Sequence, residues 1–216
     1  MIDHAGTSYT PLVARTDHAL ETAWKHLTGT PPAGWGTAEP VNLLWSPQQL
    51  TDLARDRAPD PTHLIAVGHP NHPAIATHRT TRTTNGVAED ITLTLGYTEG
   101  QTPPLDAIEP LAETLVTHHG LTTMLTTLRT AHADLTLPPH LEPPPIPVSF
   151  TLGSTDVRAI GLTHSRRPPL ALRPRKLGPS TRPALHYPLC DGNDAQAWAA
   201  LHQLVAHLQA APGRDH

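Results

Sequence analysis

Cysteine is nearly absent from this chain. Cys190 stands alone, so no intrachain disulfide can form and a thiolate zinc cluster has no ligands. Such sparing use of cysteine fits a reducing compartment. The opening stretch, MIDHAGTSYTPLVARTDH, lacks a basic segment followed by an apolar one, so no secretion signal is read and a cytoplasmic location is expected. No apolar run nears the length of a bilayer span, which argues against membrane insertion. Aromatic residues make up only 4% of the 216 positions, and lysine, at Lys25 and Lys176, supplies two of the 15 basic residues. Also missing are the nucleophile elbow G-x-S-x-G, a phosphate-binding P-loop, the dinucleotide motif G-x-G-x-x-G and the metalloprotease motif H-E-x-x-H. The enzyme classes those motifs signal gain no support, and no cofactor is expected.

What is present is enough apolar material to fold, at 38% of residues, broken by 25 prolines that imply many stiff loops. Asn85-Gly86 separates two runs of strand-favouring residues, AIATHRTTRTT and VAEDITLTLGY, and reads as a type I′ hairpin. In that register Arg82 faces Glu89, Thr80 faces Ile91, His78 faces Leu93 and Ala76 faces Leu95. Val87, Ile91, Leu93, Leu95 and Tyr97 then share one face. THLIAVGH, VSFTLG and ALHYPL add short strands.

Helix starts are marked at Ser46-Pro47-Gln48-Gln49, where an N-cap, an N1 proline and a capping-box glutamine coincide with a Trp45–Leu50 staple. Asp106 with Glu109, and Asn193 with Gln196, repeat the capping-box spacing. A helix is also predicted from Leu121 to about Asp134 after Gly120, and another around Leu20, Ala23, Trp24 and Leu27. This order lacks βαβα alternation. It predicts an α+β fold with a mixed or mainly antiparallel sheet of about five strands and flanking helices. Residues 1–15 are expected to form a flexible segment and residues 16–212 one domain, with a proline-rich connector at 137–147 and a basic proline-rich arm at 157–190.

Three histidines, His69, His72 and His78, fall within ten residues in HPNHPAIATH. With 16 histidines in the chain, a ten-residue window holds ~0.7 on average, so composition accounts for such a cluster. A zinc site would need the three to converge, yet His78 lies inside a strand while His69 and His72 sit in the preceding connection. They remain low-ranked metal candidates. His118 and His119, adjacent on a helix, point about 100° apart and read as surface residues. Cys190 ends a strand ahead of a helix, where a helix dipole could activate a thiol, but His186 is too distant along the strand to serve as its base. An enzyme centred on Cys190 or on the histidines stays as the alternative reading.

Charge is the more unusual feature. Arg158, Arg166, Arg167, Arg173, Arg175, Lys176 and Arg182 lie between Val157 and Cys190 without one acid, so this stretch carries +7 and the rest −11 in a chain of net −4. The asymmetry suits docking of a protein with an acidic surface, or of a nucleic-acid backbone, or an internal clamp on the domain's own acids. Nucleic acid ranks lower, because no aromatic residue interleaves the arginines before Tyr187.

The stretches PPAGWGTAEPVNLLWSPQQLTDLARDRAPDPTHL, ADLTLPP and LHYPLCDGNDAQAWAAL resemble an actinobacterial family of unknown function, DUF6177, from about Leu20 onward. The resembling part is the C-terminal portion of such proteins. It implies an actinobacterial source and association with type VII secretion genes, and it carries no catalytic residues. The combined expectation is a non-enzymatic protein-binding accessory or adaptor.

Overall fold

The computed structural model describes residues 18–84, 86–98, 100–132, 135, 144–194 and 196–210, together with the backbone of residues 2–9. Its strands are β1 (Ile2–Tyr9), β2 (Gly34–Gly36), β3 (Leu43–Leu44), β4 (Thr62–Val67), β5 (Ala74–Thr83), β6 (Gly86–Leu95), β7 (Leu121–Leu128), β8 (Ile146–Leu152), β9 (Arg175–Leu177) and β10 (Ala184–Pro188). Its helices are α1 (His18–Thr28), α2 (Pro47–Arg57), α3 (Ile108–His119), α4 (Ser154–Ile160), α5 (Leu162–Ser165) and α6 (Ala197–Gln209). The strands form one sheet in the order β3-β2-β4-β5-β6-β1-β7-β8-β10-β9. Every pairing is antiparallel.

The architecture is α+β, as the sequence implies, with a longer sheet than the sequence suggested. Strands of two or three residues, β2, β3 and β9, lengthen its ends. Residues 2–9, assigned by sequence to a flexible segment, form β1 and join a five-stranded half to a four-stranded half. Helices α1, α2 and α3 cover one face along most of the sheet. Leu20, Trp24, Leu50, Leu111 and Leu115 meet Ala66, Ala76, Leu93, Met124 and Ala184 there. Among the described residues the opposite face is covered by α4 and α6 at the β7, β8 and β10 end, where Val157, Ile160, Leu204 and Leu208 pack on Leu152, Leu185 and Tyr187. Strand alternation sends Ala184 and His186 to the first face and Leu185 and Tyr187 to the second, so β10 is buried on both sides.

Local signals explain the helices that sequence placed well. Ser46 caps α2 by accepting from the Gln49 N–H at 3.5 Å, with Pro47 at its start. Trp45 donates its indole N–H to Glu21 Oε2 at 2.9 Å and ties this loop to α1. The other two capping boxes do not form. A single 3₁₀ turn at Leu105–Ala107 leads into α3 without a side-chain cap. Before α6, the Asp194 carboxylate accepts from the Gln196 N–H at 2.8 Å, and the helix begins at Ala197.

The helix expected after Gly120 is strand β7. Gly120, at φ 61°, ends α3 in the left-handed conformation, and the chain then enters the sheet. Against β1 the β7 ladder passes from Thr123 to Leu121 while β1 advances one residue, so Thr122 is bulged. The bulge puts Leu121 and Met124, three apart, into the same core. That spacing is what imitates a helix. The β5–β6 ladder closes at Thr83–Gly86, two positions away from the expected register, so His78 faces Ile91 and Ala76 faces Leu93. A two-residue slip keeps every side chain on its face. It also sets Glu89 beside His78. Of the connector predicted at 137–147, residues 137–143 lie outside the described residues, and Ile146 and Pro147 already belong to β8. The basic stretch 157–190, expected as a proline-rich arm of the domain, includes α4, α5, β9 and β10.

Candidate functional site

The histidine group separates in space. His69 and His72 occupy the turn between β4 and β5, where the His72 N–H donates to the His69 carbonyl at 2.9 Å. His78 is buried within β5, its Nε2 3.4 Å from Glu89 Oε1, with both side chains almost fully enclosed. Among the described residues no group of three or more His, Cys, Asp or Glu side chains is placed to hold a metal ion. His119, expected at the surface, is buried and shares a hydrogen bond with the Thr22 hydroxyl at 3.1 Å, while His118 is exposed. The last turn of α3 tucks under α1, and a sequence pattern does not report that contact.

Cys190 has close partners of its own. Its thiol donates to the Pro147 carbonyl at 3.1 Å, and its sulfur accepts from the Gly192 N–H at 3.2 Å. Helix α6 starts at Ala197, so Cys190 does not lie directly before a helix start. His186 is engaged elsewhere, sharing a 2.8 Å hydrogen bond between its Nδ1 and Thr151 Oγ1. Burial holds this imidazole below its ordinary pKa. The Glu109 carboxylate opposes the depression and the Arg175 guanidinium adds to it.

All seven residues of the basic stretch are exposed. Arg158 lies in the last turn of α4; Arg166 and Arg167 follow α5; Arg173 precedes β9, which carries Arg175 and Lys176; Arg182 lies in the turn before β10. Because β9 is the last strand of the sheet, the charge collects along one edge and the adjoining α4–α5 corner. Register divides β9: Arg175 lies opposite His186 on the α3 side, and Lys176 opposite Leu185 on the α4 and α6 side. Arg175 pairs with Glu109 of α3, and the Gly178 N–H donates to Glu113 at 2.8 Å. The internal clamp thus holds for Arg175. None of the other six has an ion-pair partner among the described residues. A short edge strand bearing Arg and Lys also resists unwanted strand addition, which gives part of this charge a purely protective reason to exist.

The corner is held firmly. The Tyr187 hydroxyl, whose pKa burial raises, donates to the Ser165 carbonyl at 2.9 Å. His164 and His207 stack with ring centroids 3.9 Å apart, and each Nε2 donates to the other's backbone carbonyl, at 2.8 and 3.0 Å. Helix α5 is fastened to α6 by this reciprocal pair.

One feature escaped the sequence altogether. Segments following β6 and β7 enclose a cleft of about 700 Å³ lined by Leu95, Tyr97, Gln101, Leu128, Arg129 and His132 among others. Its described lining has apolar walls, a guanidinium and an imidazole but no carboxylate. The sequence hid it because the second segment was read as the end of a helix.

A family model for the DUF6177 C-terminal domain matches residues 15–210. The chain belongs to that family. No curated protein and no solved structure matches it. In this DUF6177 domain, among the described residues, no helix is long and apolar enough to cross a membrane.

Proposed function

We propose that this DUF6177 domain is a non-enzymatic docking module that binds an acidic surface of another protein through the β9 edge and the α4–α5 corner. The observation that carries the reading is the set of six exposed cations, Arg158, Arg166, Arg167, Arg173, Lys176 and Arg182, without acid partners among the described residues. They stand on helix ends, a strand edge and a tight turn, so little conformational freedom is lost when a partner is engaged. A protein partner is favoured over nucleic acid because Tyr187, the aromatic nearest the arginines in sequence, is buried and offers no surface for a base. The partner class that the family resemblance suggests is a component of type VII secretion.

The test is capture from an actinobacterial lysate with the wild-type chain and with an Arg166→Glu, Arg167→Glu, Arg173→Glu, Arg182→Glu variant. Arg175 is left intact, because reversing it would set two acids together at Glu109. A partner retained by the wild type, lost by the variant and weakened by salt supports the reading. Identical capture by both would refute it. Duplex DNA run alongside, with a steep salt dependence, would transfer the same surface to nucleic acid.

A further inference from the structure

Strands β6 and β7 do not pair with each other. Both run antiparallel to β1, hence parallel to one another, and β1 completes a backbone ladder on each side. Without β1 the molecule holds a slot one strand wide, with an open hydrogen-bonding edge on either wall. The walls do not depend on β1 to stay together. Helices α1 and α3 pack on each other beneath the slot, and one hydrophobic cluster links Ile91 and Leu93 of β6 to Leu121 and Met124 of β7 through those helices.

The occupant is less firmly specified than its slot. Its ladder shifts register between Asp3 and Ala5 on both sides and again between Gly6 and Thr7 on the β7 side. The strand IDHAGTSY carries Asp, Ala, Gly and Ser, residues that strands disfavour, whereas β6 and β7 are rich in Val, Ile, Thr and Leu. The family match begins at residue 15, so the domain is recognised with the slot and without the strand.

We propose that the β6–β7 slot is a strand-acceptor site, and that residues 2–9 of a second copy of this chain take the place of the chain's own β1. The recognition is main-chain hydrogen bonding on both edges of an extended segment, and the sequence that fits the slot is the one seated in it. Exchange of one identical element between copies needs no new contact, because each copy regains the ladders it gives up.

The pairing Ser8↔Ala88 supplies the assay. In a Cys190→Ser background, a size-tagged chain with Ser8→Cys is mixed with an untagged chain carrying Ala88→Cys, mildly oxidised, and resolved without reductant. A disulfide joining tagged to untagged chain is expected. Replacing Ala88→Cys by Thr92→Cys, about 13 Å further along the strand, should abolish it. A second pair, Asp3→Cys with Thr92→Cys, checks the result at the other end of the ladder, and thermal melts matching the wild type establish that each variant folds. If the Ser8–Ala88 disulfide forms only when both cysteines lie in one chain, the strand is fixed in its own molecule and the proposal fails. If it forms in neither arrangement, residues 2–9 do not occupy the slot and the proposal fails at its root.

Discussion

His186 should make the protein lose stability as the solution is acidified. The ring is 4% exposed on the inner face of β10 and shares a hydrogen bond with Thr151, and burial depresses its pKa in the folded state. Above the ordinary imidazole pKa of about 6.5 it is neutral whether folded or unfolded and adds no pH dependence. Below that value the unfolded chain takes up a proton that the folded chain refuses. Stability therefore falls with pH until the folded pKa is reached. The slope is at most about 1.4 kcal/mol per pH unit, which for a domain of this size lowers Tm by roughly 3–5 °C per unit. The assay is thermal or urea unfolding between pH 7.5 and 5, comparing wild type with His186→Gln, whose amide can still bond to Thr151 but does not titrate. The other histidines contribute alike to both proteins, so the difference in slope isolates His186. Glu109→Gln should extend the loss to lower pH, because the carboxylate is what raises this pKa. Equal slopes in wild type and His186→Gln would refute the reasoning, as would a wild type that gains on the variant as pH falls.

The buried His78–Glu89 pair predicts strong coupling. His78→Leu alone should cost about 1–3 kcal/mol by taking a polar neighbour from an enclosed carboxylate, whereas His78→Leu with Glu89→Leu should recover much of that loss in a double-mutant cycle by urea unfolding. Gly153→Ala should destabilise by at least about 2 kcal/mol. Its N–H bonds the Thr122 carbonyl at 2.6 Å, and an added methyl would overlap the Leu121 carbonyl oxygen, so the start of α4 would have to move off β7. A melt unchanged by that substitution would show that the approach is looser than the structure has it.

The sequence was most legible where one element's own residues decide its structure. Ser46-Pro47 announces α2, and the stripes Leu20–Leu27 and Leu201–Leu208 mark α1 and α6, because capping and amphipathicity are local. It misled where a neighbour decides. Leu121 and Met124 look helical because a bulge restores them to one face, and the bulge exists only through pairing with β1. The hairpin kept the correct faces through a register error because a slip of two residues preserves alternation. Strands as short as β3 and β9 contain no period to detect. At the candidate site, the clustering and exposure of the arginines followed from composition, while the Arg175–Glu109 contact joins residues 66 apart in sequence and had no local sign. The cleft beside Tyr97 and Arg129 is made by two loops meeting, which no single stretch foretells.

The stacked His164–His207 pair makes the proposed docking corner answerable to α6. Arg166 and Arg167 come directly after α5, and α5 is moored by two imidazole-to-carbonyl bonds to α6 as well as by the Tyr187–Ser165 bond to β10, so the orientation of these cations depends in part on α6. A His207→Ala substitution, which touches no arginine, should then weaken capture of an acidic partner while leaving the charge of the surface unaltered. Any binding partner, tag or neighbouring domain that shifts α6 would aim or misaim the arginines, giving the far end of the chain a say over what the corner holds.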